Sequence, residues 1–295
     1  MKTYVKTISL KSTQKACLLL LGFCLLLVLA LPSYAQRGNG PVPVAAPGRA
    51  EAPIDLTGNW VSVVNEDWAY RMLTPAIGDT MSIPLKPNAQ EVADNWDLEA
   101  DNAAGLQCKA FGAARIMRVP TRLKISWQDD YTLRIDTDSG SQTRLFHFSD
   151  TGRRPLLNMM LEGATREKSL QGYSVADWEN IMINRVSTAG PDDVPPPGGN
   201  LKVITTRLEA GYLRPNGVPY SEDTVLTEFY NRLTDPQGEE WFVVTTIVDD
   251  PTYLNSPYVT TTHFRREADD SKWNPSPCET LPPPEGATPP AGRDF

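Results

Sequence analysis

Apolar and polar residues alternate with a period of two along several short segments of the chain. The clearest segment runs through Leu123, Ile125 and Trp127, and the same alternation returns at residues 133–136 and 143–148. This period is typical of β-strands that bury one face. Because turn-forming residues separate the three segments, they predict an antiparallel meander of strands.

Further strand patterns lie on both sides of this meander. They cover residues 56–64, 201–208, 224–233, 241–248 and 258–265. One short, acidic helix is predicted over residues 88–100. So many strands and so little helix predict an all-β fold: an antiparallel lipocalin-like barrel with long irregular insertions, or alternatively a two-sheet sandwich. The segment Gly58-Asn59-Trp60 resembles the first strand of a lipocalin and favours the barrel.

The first 35 residues have neither pattern. Four lysines and no acidic residue lead into an apolar run at residues 16–31, and Ser33 and Ala35 then place small side chains at the −3 and −1 positions of a cleavage site. This order is typical of a secretory signal peptide, so we expect residues 1–35 to be removed. The alternatives are an uncleaved membrane anchor, for which the run is shorter than the usual span of about 20 residues, and a lipoprotein anchor at Cys24.

Composition divides the remaining chain into three parts. Residues 36–53 and 280–295 are rich in Pro, Gly and Ala and have no apolar period, which predicts a flexible leader and a disordered, Pro-rich tail. Residues 54–279 lie between them and have the length of a single β domain. Export would place this domain in the periplasm or outside the cell.

The charge balance limits the partners of the exported part. The full chain has 28 basic and 36 acidic residues, and the signal segment carries four of the basic ones, so the remainder has 24 against 36 and a formal charge of −12. Such a surface repels nucleic acid phosphates and anionic lipid head groups. We therefore expect no nucleic acid partner and no stable membrane insertion after cleavage. The oligomeric state is left open.

Two cysteines, Cys108 and Cys278, remain after removal of the signal segment. An even number of cysteines in an oxidising compartment predicts a disulfide between them, and two separately buried thiols are the alternative. Two thiolates alone cannot build a zinc or iron–sulfur site. No dinucleotide or phosphate-loop motif is present, so we expect no cofactor and no metal site.

Short motifs are spread over residues 55–275. They are Gly112-Ala113-Ala114-Arg115-Ile116-Met117 after Cys108, with Pro120; Arg144-Leu145-Phe146-His147; Gly172-Tyr173-Ser174-Val175-Ala176-Asp177-Trp178-Glu179; Leu201-Lys202-Val203-Ile204-Thr205-Thr206; Asn216-Gly217-Val218-Pro219-Tyr220-Ser221; and Asp249-Asp250-Pro251. Together they resemble a large group of exported bacterial proteins of unknown function. This chain departs from the group by an insertion at residues 180–200 and by Tyr220, where the group commonly has His. The resemblance implies a common fold and an exported location, and it brings no established activity.

Residues suited to enzyme chemistry are sparse. The two histidines, His147 and His263, fall on predicted strands, where they could meet inside a barrel as a metal pair or an acid–base pair. No His-x-His or Glu-x-x-His spacing supports a metal site, and two unrelated strand histidines are the simpler interpretation. With a two-residue hairpin at residues 139–140, His147 would point away from the core face, and a slip of one residue would turn it inward. The segment Gly172-Tyr173-Ser174-Val175-Ala176 lacks the second glycine of a nucleophile elbow.

Aromatic and arginine side chains supply the predicted binding site. The irregular loop at residues 211–221 and the segment at residues 173–178 are expected to line one mouth of the barrel, since loops on a rigid β scaffold often carry function. The predicted ligand-binding residues are Arg144, His147, Tyr173, Trp178, Tyr212, Arg214, Tyr220 and His263. Ordinary barrel core and rim is the alternative interpretation of these side chains.

These observations predict an exported β-barrel protein that binds a small, partly apolar molecule. One alternative is an enzyme on the same scaffold that uses His147 and His263 for acid–base or hydrolytic chemistry. Another alternative is an interaction domain for a cell-envelope protein or a glycan. Whether the protein is an enzyme is left open by the sequence.

Overall fold

The computed structural model describes residues 48–150, 160, 163–181 and 198–290. The predicted signal peptide, most of the predicted leader and the centre of the insertion at residues 180–200 lie outside the described residues. Within the described part of the chain, no helix is long and apolar enough to cross a membrane.

The described residues contain eleven strands. They are β1 (Gly58–Val63), β2 (Arg122–Asp129), β3 (Thr132–Thr137), β4 (Thr143–His147), β5 (Tyr173–Ile181), β6 (Gly198–Thr206), β7 (Gly211–Tyr212), β8 (Pro219–Tyr220), β9 (Val225–Thr234), β10 (Glu240–Asp249) and β11 (Tyr258–Glu267). Nine of them form a closed barrel in the order β1-β11-β10-β9-β6-β5-β4-β3-β2, and β7 and β8 form a separate two-stranded sheet. The predicted all-β barrel is confirmed, and the sandwich alternative is not formed.

One pair of strands is parallel in an otherwise antiparallel barrel. β4 pairs with β5 in parallel, with Phe146 opposite Ser174 and His147 opposite Val175. Parallel neighbours need a long crossover rather than a tight turn, and more than twenty residues separate the end of β4 from the start of β5. All other barrel pairs are antiparallel.

Short helices occupy the connection between β1 and β2. They are α1 (Trp68–Met72), α2 (Pro87–Asp94), α3 (Leu98–Ala103), a 3-10 helix (Gln107–Phe111) and α4 (Ala113–Ile116). The single helix predicted over residues 88–100 is in fact two helices. The break has a local cause, because the Asp97 side chain accepts hydrogen bonds from the backbone N–H groups of Glu99 and Ala100 and so starts α3.

This connection packs with a second irregular segment to close one end of the barrel. We call residues 64–121 and 207–224 together the end cap. Ala113 and Val218 of the end cap share an apolar cluster with Leu226, Val248 and Tyr258, which lie where β9 begins, β10 ends and β11 begins. The end cap therefore covers the barrel end at which these three strands meet.

Aromatic rings fill the barrel interior. Trp60, Phe146, Tyr230, Phe242 and Phe264 have no exposed surface. The ring centroid of Phe242 lies 4.8 Å from that of Trp60 and 4.7 Å from that of Phe264. Burial of each such side chain stabilises the fold by about 1.5–3 kcal/mol. The interior is thus a packed core rather than the open cavity of a ligand-holding barrel.

A disulfide joins the end cap to residues 268–290, which follow the last strand and which we call the C-terminal segment. Cys108 in the 3-10 helix is bonded to Cys278, 170 residues further along the chain, as the sequence predicted. Beyond this bond, residues 280–290 form neither helix nor strand, and the Leu281 carbonyl accepts a hydrogen bond from the Thr74 hydroxyl at 2.6 Å. The C-terminal segment is therefore fastened to the end cap at two points.

Candidate functional site

Arg144, the first predicted binding residue, lies inside the barrel and is already paired. Its Nη1 donates to Glu228 Oε1 at 2.9 Å and its Nη2 donates to Glu228 Oε2 at 2.6 Å, and neither side chain is exposed. Burial alone would lower the pKa of Arg144, but the Glu228 carboxylate outweighs burial and raises it. Arg144 therefore has its counter-charge within the protein and is not free to bind another anion.

His147 lies on the outside of the barrel, as a two-residue hairpin would require. Its ring stacks on Tyr173 with 5.0 Å between centroids, and the Arg166 guanidinium lies 4.8 Å from the centroid of the Tyr173 ring. Burial and, secondly, the charge of Arg166 lower the pKa of His147. The three side chains form a stack on the outer wall.

His263 is on the outer face of β11 and does not meet His147. Its Nδ1 lies 3.5 Å from Glu66 Oε2, and strands β1, β2 and β3 separate β11 from β4 along the shorter way around the barrel. Nowhere in the described residues do three or more His, Cys, Asp or Glu side chains converge in a way that could hold a metal ion. The hypothesis of a histidine pair inside the barrel therefore has no geometric basis.

The segment at residues 173–178 does not form one surface, because alternate residues face opposite sides of the wall. Tyr173 faces outward, whereas Trp178 faces inward, stacks on Phe148 and donates from Nε1 to the Gly48 carbonyl at 2.6 Å. Ser174 also faces inward, with its hydroxyl 2.7 Å from that of Thr205. A buried serine with this partner is not presented as a nucleophile.

The loop at residues 211–221 is a buried part of the end cap. The Tyr212 hydroxyl donates to Asp101 Oδ2 at 2.7 Å, and burial followed by this hydrogen bond raises the pKa of Tyr212. The Arg214 guanidinium lies 3.9 Å from the centroid of the Tyr70 ring, and its Nη2 donates to the Met81 carbonyl at 2.6 Å. These contacts hold the loop at residues 211–221 against the part of the end cap that contains the short helices.

Tyr220 is enclosed even more tightly. Its side chain has no exposed surface, and a Cβ atom at Gly112 or Gly211 would lie within 2.5 Å of its hydroxyl oxygen. The two glycines therefore leave the room that the Tyr220 hydroxyl needs inside the end cap. Arg214 and Tyr220 are thus buried within the end cap, whereas Tyr173 and Trp178 face opposite sides of β5.

An open pocket lies instead between the end cap and the C-terminal segment. Its volume is about 330 Å³. We call it the cap pocket and define it by six of its lining residues, which are Arg71, Met72, Leu73, Phe111, Arg115 and Leu281. Met72, Leu73 and Leu281 are exposed by 55 %, 48 % and 63 %, so the pocket has an apolar rim above two arginines.

Arg71 and Arg115 differ in their partners. Arg71 uses all of its nitrogens, since Nη1 pairs with Glu66, Nε donates to the Arg118 carbonyl at 3.0 Å and Nη2 donates to the Ser62 hydroxyl at 2.8 Å. Arg115 is 7 % exposed, and its Nη1 donates to the Ala110 carbonyl. No carboxylate of the described residues pairs with it. Burial and then the charges of Arg118 and Arg71 lower the pKa of Arg115 to about 9.

Sequence reasoning did not select Arg115 as a binding residue, although a signal was present. In Gly112-Ala113-Ala114-Arg115-Ile116-Met117 the arginine is the one charged residue in an apolar run. A charge at such a position is buried with the run, and a buried charge needs a partner. Arg71, Met72 and Leu73 carry no comparable signal, because their place beside Arg115 depends on the packing of the end cap.

Comparisons with protein families, with curated proteins and with solved structures found no match. The class of the protein is therefore defined by the geometry of this chain alone. It is a closed nine-stranded β-barrel with a filled interior. An end cap covers one end, and a pocket with an apolar rim and an arginine base lies beside it.

Proposed function

We propose that the protein is an exported β-barrel binding protein that takes a small, partly apolar molecule in the cap pocket. The observation that carries this proposal is the cap pocket itself, which has a volume of about 330 Å³ and joins exposed apolar side chains to a buried arginine. Ligand pockets are commonly at least about 300 Å³ in volume and combine apolar walls with a few polar groups that orient the ligand.

The rim supports binding of an apolar group. Met72, Leu73 and Leu281 are large apolar side chains that lie together with much of their surface in water. Clusters of exposed apolar residues commonly mark places where something binds. Covering these side chains with an apolar ligand removes their surface from water and stabilises the complex.

Export rests on two further observations. The N-terminal pattern of lysines, apolar run and small residues is that of a signal peptide. The Cys108–Cys278 disulfide fits an oxidising compartment. We include the resemblance to the group of exported bacterial proteins in this proposal, because it implies the same location.

The two alternatives have less support from the geometry. An enzyme that uses both histidines needs them in one site, whereas His147 and His263 lie on the outer faces of separate strands. An interaction domain needs a flat apolar or aromatic surface, whereas the exposed side chains of Met72, Leu73 and Leu281 border a pocket.

Titration with a neutral fluorescent probe tests the proposal. N-phenyl-1-naphthylamine brightens in apolar surroundings, and we expect saturable binding of one probe per chain. Leu73→Ser should weaken this binding about tenfold, because it removes apolar contact from the rim. The control is Val259→Ser, which changes an exposed valine on the outer wall of β11 and should leave the affinity unchanged. Absence of saturable binding, or equal losses in the two variants, would refute the proposal.

A further inference from the structure

We propose that the ligand of the cap pocket is an organic anion, a carboxylate or equivalent oxyanion attached to an apolar body, and that Arg115 is its anchor. This inference rests on the proposed function, since it names the chemical class of the molecule that enters the same pocket. Its basis is a buried guanidinium that lacks a carboxylate partner and lines an open cavity.

Three of the four other buried arginines have a carboxylate partner: Arg144 pairs with Glu228, Arg71 with Glu66 and Arg118 with Asp67. The fourth, Arg214, pairs with no carboxylate of the described residues, but its free Nε and Nη1 are fully enclosed in the end cap. A buried charge without a partner costs free energy, and Arg115 has only the Ala110 carbonyl and the Phe111 ring, 6.0 Å away. An anion from outside would supply the missing counter-charge.

The free nitrogens of Arg115 form the edge that carboxylates prefer. Nε and Nη2 donate to no atom of the described residues, and neither is among the polar atoms that are fully enclosed without a partner. They therefore keep some accessible surface, and the accessible space beside Arg115 is the cap pocket. Nε and Nη2 lie side by side, so they can bind both oxygens of one carboxylate.

The same protein contains an example of this geometry. On the barrel wall, Arg134 Nε donates to Asp136 Oδ2 at 2.7 Å and Arg134 Nη2 donates to Asp136 Oδ1 at 2.8 Å. Arg115 presents the same two nitrogens, while its Nη1 is held by the Ala110 carbonyl. The hydrogen bond to Ala110 fixes the orientation of the guanidinium before a ligand arrives.

The surrounding charges favour an anion inside the pocket. Arg71 and Arg118 both act on the guanidinium of Arg115 as nearby positive charges. Glu279 is the one carboxylate among the residues that line the pocket, and it lies on the exposed C-terminal segment, where solvent screens its charge. Among the lining residues, the two arginines therefore lie at the base of the pocket and the one carboxylate lies at its exposed side.

Competition between two molecules of equal chain length tests the inference. Octanoate and 1-octanol differ in the head group alone, and each is used to displace bound N-phenyl-1-naphthylamine. We expect octanoate to bind at least tenfold more tightly than 1-octanol, because hydrogen bonds to charged groups are worth about one to two orders of magnitude in affinity. In Arg115→Gln this preference should vanish while the neutral probe still binds.

Three further variants are compared in the same competition between octanoate and 1-octanol. Arg265→Gln removes an arginine charge on the outer wall, away from the pocket, and should keep the octanoate preference. Arg115→Lys keeps the charge without the paired nitrogens and should keep part of the preference, which covers the case in which Arg115→Gln does not fold. Glu279→Gln should tighten octanoate binding about twofold, since it removes the negative charge at the rim.

The outcomes separate this inference from the proposed function. If octanoate and 1-octanol displace the probe equally well, the ligand of the cap pocket is not an anion, and the proposed binding function stands. If the octanoate preference survives in Arg115→Gln, Arg115 is not the anchor. If the neutral probe does not bind the unaltered protein, the proposed function itself fails.

Discussion

Arg144 and Arg115 are both buried arginines, and they lie in opposite surroundings. Arg144 is enclosed in the barrel, where Glu228 binds it with two hydrogen bonds. Arg115 lies in the end cap, where a backbone carbonyl and an aromatic ring are its contacts and a pocket adjoins it. The comparison shows that burial alone does not mark a functional charge. A buried arginine is available to a ligand only if it has no carboxylate partner, since a guanidinium that already has its carboxylate cannot accept a second one in the same geometry.

The difference has a structural reason. The barrel interior is filled by aromatic rings, so a charge inside it has to find its partner within the protein. The end cap is built from short helices and a loop that meet the C-terminal segment along an open seam. At such a seam the partner of a charge can come from solution.

The largest expected effect is the loss of stability when the paired arginine, Arg144, is replaced. Arg144→Met leaves the Glu228 carboxylate buried without a counter-charge and should lower the free energy of unfolding by about 3–5 kcal/mol. Urea unfolding followed by tryptophan fluorescence measures this loss. The double variant Arg144→Met with Glu228→Leu removes both charges and should recover most of it, and a loss below about 1 kcal/mol in the single variant would show that the pair does not hold the barrel as described.

Reduction of the disulfide should affect the end cap more than the barrel. Cys108→Ser with Cys278→Ser releases a cross-link across 170 residues and should cost about 2–5 kcal/mol of stability. Leu281 follows Cys278 closely and forms part of the cap pocket, so we expect weaker binding of N-phenyl-1-naphthylamine as well. Hydrogen exchange should show faster exchange in residues 64–121 than in β9 and β10, and uniform acceleration would contradict this division.

Removal of the unpaired arginine, Arg115, should change ligand binding and hardly change stability, whereas removal of Arg144 should lower stability. Arg115→Met gives up one hydrogen bond to the Ala110 carbonyl, worth about 1 kcal/mol, and also removes an uncompensated buried charge. We expect the free energy of unfolding to change by less than about 1 kcal/mol while the preference for octanoate is lost. A destabilisation as large as that of Arg144→Met would mean that Arg115 is structural.

The smallest expected effect is a dependence on alkaline pH. The pKa of Arg115 is lowered to about 9 by burial and by Arg118 and Arg71, so octanoate affinity should fall as the pH rises through about 9. Above about pH 9 the unfolded chain still binds the proton that Arg115 has lost in the folded protein, so this group makes the folded state more stable as the pH rises further. The difference between the unaltered protein and Arg115→Met isolates the effect from other titrating groups, and equal pH profiles would contradict it.

Much of the barrel follows from local patterns. The alternation through Leu123, Ile125 and Trp127 predicted β2. The face of His147 was left open by the sequence, because a slip of one residue at the turn before β4 reverses it, and the structure places His147 on the outside. Helix boundaries were harder, since the break at Asp97 depends on one side-chain cap within an acidic segment. The parallel pairing of β4 and β5 depends on the path of a long connection, which carries no periodic signal.

The candidate site was less predictable. The loop at residues 211–221 has the composition of a binding loop, yet it is buried because α3 and the segment before it cover it, as the Tyr212–Asp101 hydrogen bond shows. Aromatic and polar residues suit an exposed binding loop and a hydrogen-bonded plug equally well. Composition could not distinguish the two, because the covering segment is distant in sequence.

By itself, the sequence predicted eight of the nine barrel strands, all except β5, and the pairing of Cys108 with Cys278, because each follows from a short periodic pattern or from a unique partner. The structure decided which face His147 occupies, since the periodic pattern alone does not fix the register of β4. Tertiary structure alone decided that the barrel is filled, that Arg144 meets Glu228 and that Arg115 has no carboxylate. These features depend on which distant side chains closure of the barrel and packing of the end cap bring within a few ångströms of each other. Hydrogen bonds form only at such short distances, and the Coulomb attraction between two charges is strongest there.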